Sequence, residues 1–121
     1  MRYFMSIIPP VDLKQEDIAP GLMDAMGPWI ERRLADGSLI STAGLKPPED
    51  ARLLRGSTGQ IVITDGPFAE AKEWIGGYAV LEASDLHSAE AIAGEFMQMH
   101  IDNGLDNVVL EVREIMGGAN Y

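Results

Sequence analysis

The chain has no cysteine and only two histidines among its 121 residues. Without cysteine it forms no disulfide framework, carries no thiol nucleophile and offers zinc no thiolate ligand. The histidines, His87 and His100, lie too far apart for the short spacings of histidine-based zinc motifs. We therefore expect no metal and no other cofactor, and the lack of cysteine fits a reducing, cytoplasmic location.

Positive charge is scarce, above all in the second half of the chain. The formal net charge is −10, and residues 61–121 carry two cations, Lys72 and Arg113, against eleven Asp and Glu residues. Nucleic-acid binding needs clustered cations, so no nucleic-acid partner is expected. No apolar run approaches the roughly 20 residues that span a bilayer, so no membrane partner is expected either.

The order of predicted elements indicates an α+β fold in a single domain, residues 1–121. Apolar periodicity predicts a helix from Gly21 to Asp36, stopped by Gly37, and a second helix capped by Ser84 or Asp85. Strands are predicted at 2–8, 38–44, 51–56, 60–63, 76–83 and 108–115. This is the βαββαβ order of a ferredoxin-like domain with an inserted hairpin.

The sheet is expected to be apolar on both faces. The continuous apolar runs at 61–63 and 78–81 are typical of strands buried on both sides. The chain has helices for only one face, so a second copy of the chain is the simplest cover for the other. We therefore expect a homodimer.

The stretch from Asp65 to Tyr78 is the most distinctive part of the sequence. Asp65 and Gly66-Pro67 end a predicted strand sharply, and Gly66 can adopt a positive φ there that other residues resist. Gly76-Gly77 opens the next strand without side chains, which indicates either a β-bulge or a close approach by another backbone or a ligand. Trp74 and Tyr78 would then be the aromatic walls of a cleft.

Thr64-Asp65-Gly66-Pro67-Phe68-Ala69-Glu70, followed by Lys72-Glu73 and Gly76-Gly77-Tyr78, resembles the signature of the DGPF type of YCII-related proteins. Gly44-Leu45-Lys46-Pro47 and Glu111-Val112-Arg113 resemble its flanking segments, so the likeness runs along nearly the whole chain. The resemblance implies a dimeric α+β barrel of ferredoxin-like subunits and implies little chemistry. Members of the wider group are suspected of using a His–Asp pair, and some DGPF-type proteins are encoded beside sigma factors.

The candidate catalytic residues are Asp65 and His100. Asp65 could act as a general acid or base in a cleft, or it could only hold its turn through backbone hydrogen bonds. His100 could reach the sheet and pair with Asp65, or it could only bond to carbonyls at the end of its helix. The residues predicted to contact a substrate are Phe68, Glu70, Lys72, Trp74, Gly76, Gly77 and Tyr78.

Two functions from different classes are consistent with these residues. The first is a small-molecule-binding protein with a cleft near the Asp65–Phe68 turn, in which acid–base catalysis is possible. The second is a non-catalytic accessory or regulatory module whose turn is structural. The ligand itself is not indicated by the sequence.

Overall fold

The computed structural model of the chain describes residues 1–67 and 73–118. Within them lie the strands β1 (Arg2–Ile8), β2 (Leu39–Gly44), β3 (Arg52–Ser57), β4 (Gln60–Asp65), β5 (Gly77–Glu82) and β6 (Val109–Glu114). The helices are α1 (Pro20–Asp36) and α2 (Leu86–Asp102), with short 3-10 turns at Gln15–Asp17 and Pro48–Asp50. The predicted order of elements is confirmed.

Four strands form one antiparallel sheet in the order β2-β5-β1-β6. Met5 of β1 lies between Ala79 of β5 and Val112 of β6, which sets the register of the centre of the sheet. Strands β3 and β4 pair only with each other, as the predicted inserted hairpin. The fold is therefore ferredoxin-like, as the sequence predicted.

The helix ends follow the expected signals. Gly37 ends α1 in the left-handed conformation, φ 83°, and its N–H donates to the carbonyl of Leu34. The carboxylate of Asp85 caps α2 by accepting a hydrogen bond from the Ser88 N–H at 2.8 Å. The backbone N–H bond at Ser88 and the one from its side chain lower the pKa of Asp85.

The core lies between the helices and one face of the sheet. Alternate residues of the two central strands point to this face, so every second side chain is buried there. The ring of Phe96 packs against that of Trp29 with centroids 5.7 Å apart and joins the two helices. The buried cluster contains Tyr3, Met5, Trp29, Leu39, Ala79, Leu81, Ala89, Ile92, Ala93 and Phe96.

The prediction that Ile61–Ile63 form a buried strand is wrong. Ile61 is 73% exposed and Ile63 57% exposed. They belong to β4, which pairs with β3 alone, and alternation puts them with Leu54 on one uncovered face of the hairpin. A run of β-branched residues indicates a strand, but it does not indicate whether another element covers that strand.

The opposite face of the main sheet is the one that no described helix covers. Phe4 and Tyr78 stack there with ring centroids 5.8 Å apart and nearly parallel planes. Val80 lies opposite Phe4 and is half-buried by its sheet neighbours. Residues 61–63 therefore give no support to a sheet that is apolar on both faces, and its remaining support is the patch of Phe4, Tyr78 and Val80 on the main sheet.

In residues 1–67 and 73–118, neither α1 nor α2 is long and apolar enough to cross a membrane.

A polar network ties α1 to α2 at the edge of the core. The carboxylate of Glu95 accepts hydrogen bonds from Arg33 Nη2 at 2.7 and 2.8 Å and from Trp29 Nε1 at 2.8 Å. The Arg33 guanidinium, and then the Trp29 indole, hold the pKa of Glu95 below its ordinary value. Each helix thus contributes one charge to a contact that fixes the packing of Trp29.

The Glu95 network should make stability depend on pH in acid. Because the pKa of Glu95 is lowered on folding, its contribution is present above the ordinary glutamate value of about 4.3 and lost as the pH falls through the folded value. The side chain is half exposed, so solvent screening limits the effect to about 1 kcal/mol. Urea unfolding should show E95Q less stable than wild type at pH 7, with the gap narrowing below pH of about 4.

E90Q is the matched control, because Glu90 lies exposed on the same helix and makes no ion pair within the described residues. A gap of the same size for both variants at every pH would contradict a role of the network in stability.

Candidate functional site

A cavity of about 470 Å³ lies between α1, the end of α2 and one edge of the main sheet. Its wall comes from six parts of the chain: the end of β1 with the segment after it, helix α1, the end of β2, the approach to β5, the last turns of α2 and the segment between α2 and β6. The lining is Ile7, Pro9, Leu13, Lys14, Ile18, Leu22, Met23, Met26, Ile30, Thr42–Leu45, Pro47, Trp74, Gly76, Gly77, Phe96, His100, Leu105 and Val108.

Glycines at the edge of the sheet provide space for the cavity. A Cβ on Gly77 would lie 3.0 Å from the Ala43 carbonyl oxygen and 3.2 Å from Ile7 Cδ1. A Cβ on Gly76 would lie 3.0 Å from the Pro9 ring. Neither glycine has a positive φ, so of the two readings the structure agrees with the close approach of other groups.

His100 is the buried polar residue of the cavity wall, with 6% of its surface exposed. Its Nδ1 lies 2.8 Å from the Phe96 carbonyl oxygen in the preceding turn of α2. A carbonyl oxygen can only accept, so Nδ1 carries the proton. In the neutral imidazole Nε2 is then an acceptor, and within the described residues it has no hydrogen-bond partner.

Three further side chains with polar atoms line the cavity in the described part of the chain. The hydroxyl of Thr42 donates to the Tyr78 carbonyl at 2.9 Å, so its proton is already used. Lys14 is exposed, as is Met23, which places the opening of the cavity to solvent near both residues. The third is half-buried Trp74, whose indole N–H is a donor, and the rest of the interior is apolar except for the oxygen of Thr42 and the ring of His100.

Asp65 lies away from this cavity, at the end of β4 on the exposed hairpin. Its Oδ1 lies 3.3 Å from Arg52 Nε, and both side chains are more than 70% exposed. Such a pair contributes little to stability. No backbone N–H bond to its carboxylate is formed within the described residues, and both roles expected for Asp65 stay predictions.

Gly66 follows Asp65 and does not use the positive φ that glycine allows, because it lies outside the left-handed region. Its N–H donates to the Ala51 carbonyl at 2.8 Å, and a Cβ at this position would overlap the carbonyl oxygen of Pro48. Glycine is required there by the close approach of that backbone.

The structure brings together some of the predicted site residues and separates others. Trp74, Gly76, Gly77 and His100 meet in the cavity. Tyr78 lies on the opposite face of the sheet against Phe4, so it is not a wall of the same cleft. Phe68, Glu70 and Lys72 lie outside the described residues, and their contact with a substrate stays a prediction.

Helix α1 and the segment before it are the part of the site that sequence reasoning missed. Leu13, Ile18, Met23 and Met26 all line the cavity, and none of them is among the predicted site residues. The sequence signal that could have indicated these residues is the apolar face of α1. This face carries more large apolar side chains than the two that are buried, Leu22 and Trp29. No group of three or more metal-binding side chains forms in residues 1–67 and 73–118.

Comparison with known proteins gives a family and one distant relative. The family model of the YCII-related domain matches residues 1–99. An uncharacterized protein of Rhizobium meliloti (strain 1021) is 32% identical over 76 residues, which is 62% of this chain. The chain spans about three-fifths (61%) of the length of that relative. His100 lies one residue beyond the matched range.

The tight packing around Gly76 predicts an asymmetry between two glycines of the cavity wall. Gly76→Ala should lower the free energy of unfolding by about 1–3 kcal/mol, because its Cβ would press on Pro9 and on the Trp74 ring, 3.1 Å away. Gly44→Ala should leave stability unchanged or slightly raised, because the nearest atom lies 4.0 Å from its Cβ. Urea unfolding of both variants gives the comparison, and equal losses would count against it.

Proposed function

The chain belongs to the YCII-related domain family, and we propose that it binds a small, mainly apolar molecule in the cavity between α1, Trp74 and His100. The cavity itself is the observation that supports this. Its volume, about 470 Å³, lies within the range of small-molecule sites, and an apolar wall with a few polar groups is typical of them. The residues of the wall come from distant parts of the chain, as in a site built by the fold.

Any acid–base step in the cavity would depend on His100. Its free Nε2 can bind a donor or take a proton, while its Nδ1 stays bonded to the Phe96 carbonyl. The partner foreseen for it, Asp65, is paired with Arg52 on the hairpin. The proposal therefore assigns binding to the cavity as a whole and proton exchange, if a reaction occurs, to His100 alone.

Binding can be tested by narrowing the cavity. Gly44 lines it, lies opposite Gly77, and has room for a side chain. Gly44→Val should therefore keep the fold and weaken binding of an apolar probe such as 2-methylnaphthalene by about tenfold, or about 1.4 kcal/mol. The titration is followed through the amide chemical shifts of Gly76 and Gly77, which report on the wall.

The matched control is Gly56→Val, the same substitution in exposed strand β3, where a Cβ would meet nothing within 4 Å. It should bind the probe as wild type does. A wild-type protein in which these amide shifts do not move would contradict the binding function and favour the non-catalytic accessory or regulatory module.

We also propose that two copies of the chain pair through the open face of the main sheet. The stacked rings of Phe4 and Tyr78 and the half-buried Val80 form its apolar centre. Charges of both signs, Glu111 and Arg113, lie at the edge on β6. An apolar centre with a polar rim is how protein interfaces are built, and mixed charges allow a patch to be complementary to itself about a twofold axis.

Val80→Glu should disrupt this pairing, because a carboxylate would be buried at the centre of the interface without a partner. Light scattering should give twice the chain mass of 13.1 kDa for wild type and a mass close to 13.1 kDa for the variant. Leu86→Glu, an exposed position in the first turn of α2, is the control and should keep the wild-type mass. A monomeric wild type at micromolar concentration would rule out the pairing.

A further inference from the structure

We infer that the cavity selects a ring compound with a hydroxyl group, of the phenol or enol class, whose hydroxyl donates to Nε2 of His100. This inference rests on the proposed binding function and names the ligand class for that site. The free polar atoms of the wall, each a donor or an acceptor, decide which ligand groups the cavity can satisfy.

The tautomer of His100 decides the first polar contact. The Phe96 carbonyl can accept only, and it lies 2.8 Å from Nδ1, so the proton of the neutral ring is held there. Nε2 is left as an acceptor at the cavity wall. A ligand group that reaches it must bring a proton of its own.

The second polar side chain within the cavity has the same polarity. Thr42 donates its hydroxyl proton to the Tyr78 carbonyl at 2.9 Å, so only its oxygen lone pairs remain for a ligand. Two backbone donors of the wall are used as well: the N–H of Gly76 bonds to the Ile7 carbonyl and that of Leu45 to the Gly76 carbonyl. The side-chain donors of the lining are Lys14, at the exposed opening, and the indole N–H of half-buried Trp74.

The acceptor at Nε2 of His100 discriminates in one direction. A hydroxyl satisfies Nε2 of His100, whereas an ether, a carbonyl or a methyl group at the same point leaves that lone pair without water or partner. The rest of the wall is apolar, and the rings of Trp74 and Phe96 provide flat surfaces. A ring compound with one hydroxyl matches both properties.

Three naphthalenes of similar shape test the inference on the wild-type protein: 2-naphthol, 2-methylnaphthalene and 2-methoxynaphthalene. Calorimetric titration should show 2-naphthol binding about three- to tenfold more tightly than the other two, as expected for one net hydrogen bond. Equal affinities for all three would overturn the hydroxyl preference and leave the binding function intact. Binding of none of them would overturn both.

His100→Asn separates Nε2 from the helix bond. Asn103, the residue that follows α2 as its C-cap, shows that an asparagine can donate from Nδ2 to the carbonyl four residues earlier, that of Met99, at 2.8 Å. An asparagine at position 100 can therefore keep the bond to Phe96 while ending short of the place of Nε2. The variant should bind 2-methylnaphthalene as wild type does and lose the preference for 2-naphthol.

Thr42→Val tests the competing acceptor. A preference that disappears in this variant and survives in His100→Asn would overturn the assignment to His100. If His100→Asn does not fold, the nitrogen chemical shifts of His100 in wild type decide. We expect the Nε2 signal to move when 2-naphthol binds and to stay in place with 2-methylnaphthalene; the same response to both would contradict the inference.

Discussion

The pairing of β5 between β1 and β2 is the constraint on which the rest of the structure depends. The six residues of β5 point alternately to the two faces of the sheet and lie in three different environments. Ala79 and Leu81 point into the core, Tyr78 and Val80 lie on the open face, and Gly77 borders the cavity. A shift of the strand by one residue would exchange core and open face, so fold and site share one register.

Much of this fold could be predicted from the sequence because its signals are local. The helix stop at Gly37 and the cap at Asp85 depend on a few adjacent residues, and both are as expected. The exposure of Ile61 and Ile63 could not be predicted in the same way. Burial depends on which element lies opposite, and the hairpin pairs only with itself.

The candidate site residues likewise divide into those that the local sequence predicts and those whose position depends on the fold. The glycine pair and Trp74 stand close together in the sequence and do border the cavity. The distance from Asp65 to the cavity depends on where the hairpin leaves the sheet, and no spacing in the sequence encodes that. Tyr78 and its neighbour Gly77 lie on opposite faces of the sheet because successive residues of a strand alternate. The register of β5 decides which face each of them takes.

The bond from His100 to the Phe96 carbonyl orients the imidazole before any molecule enters the cavity. The two residues are one helical turn apart, so the imidazole is oriented by α2 itself and not by the sheet or α1. An acceptor held this way needs no rearrangement when a molecule arrives, which reduces the entropy lost on binding. The group that we propose for recognition is thus preorganised by secondary structure, and the tertiary fold supplies the walls around it.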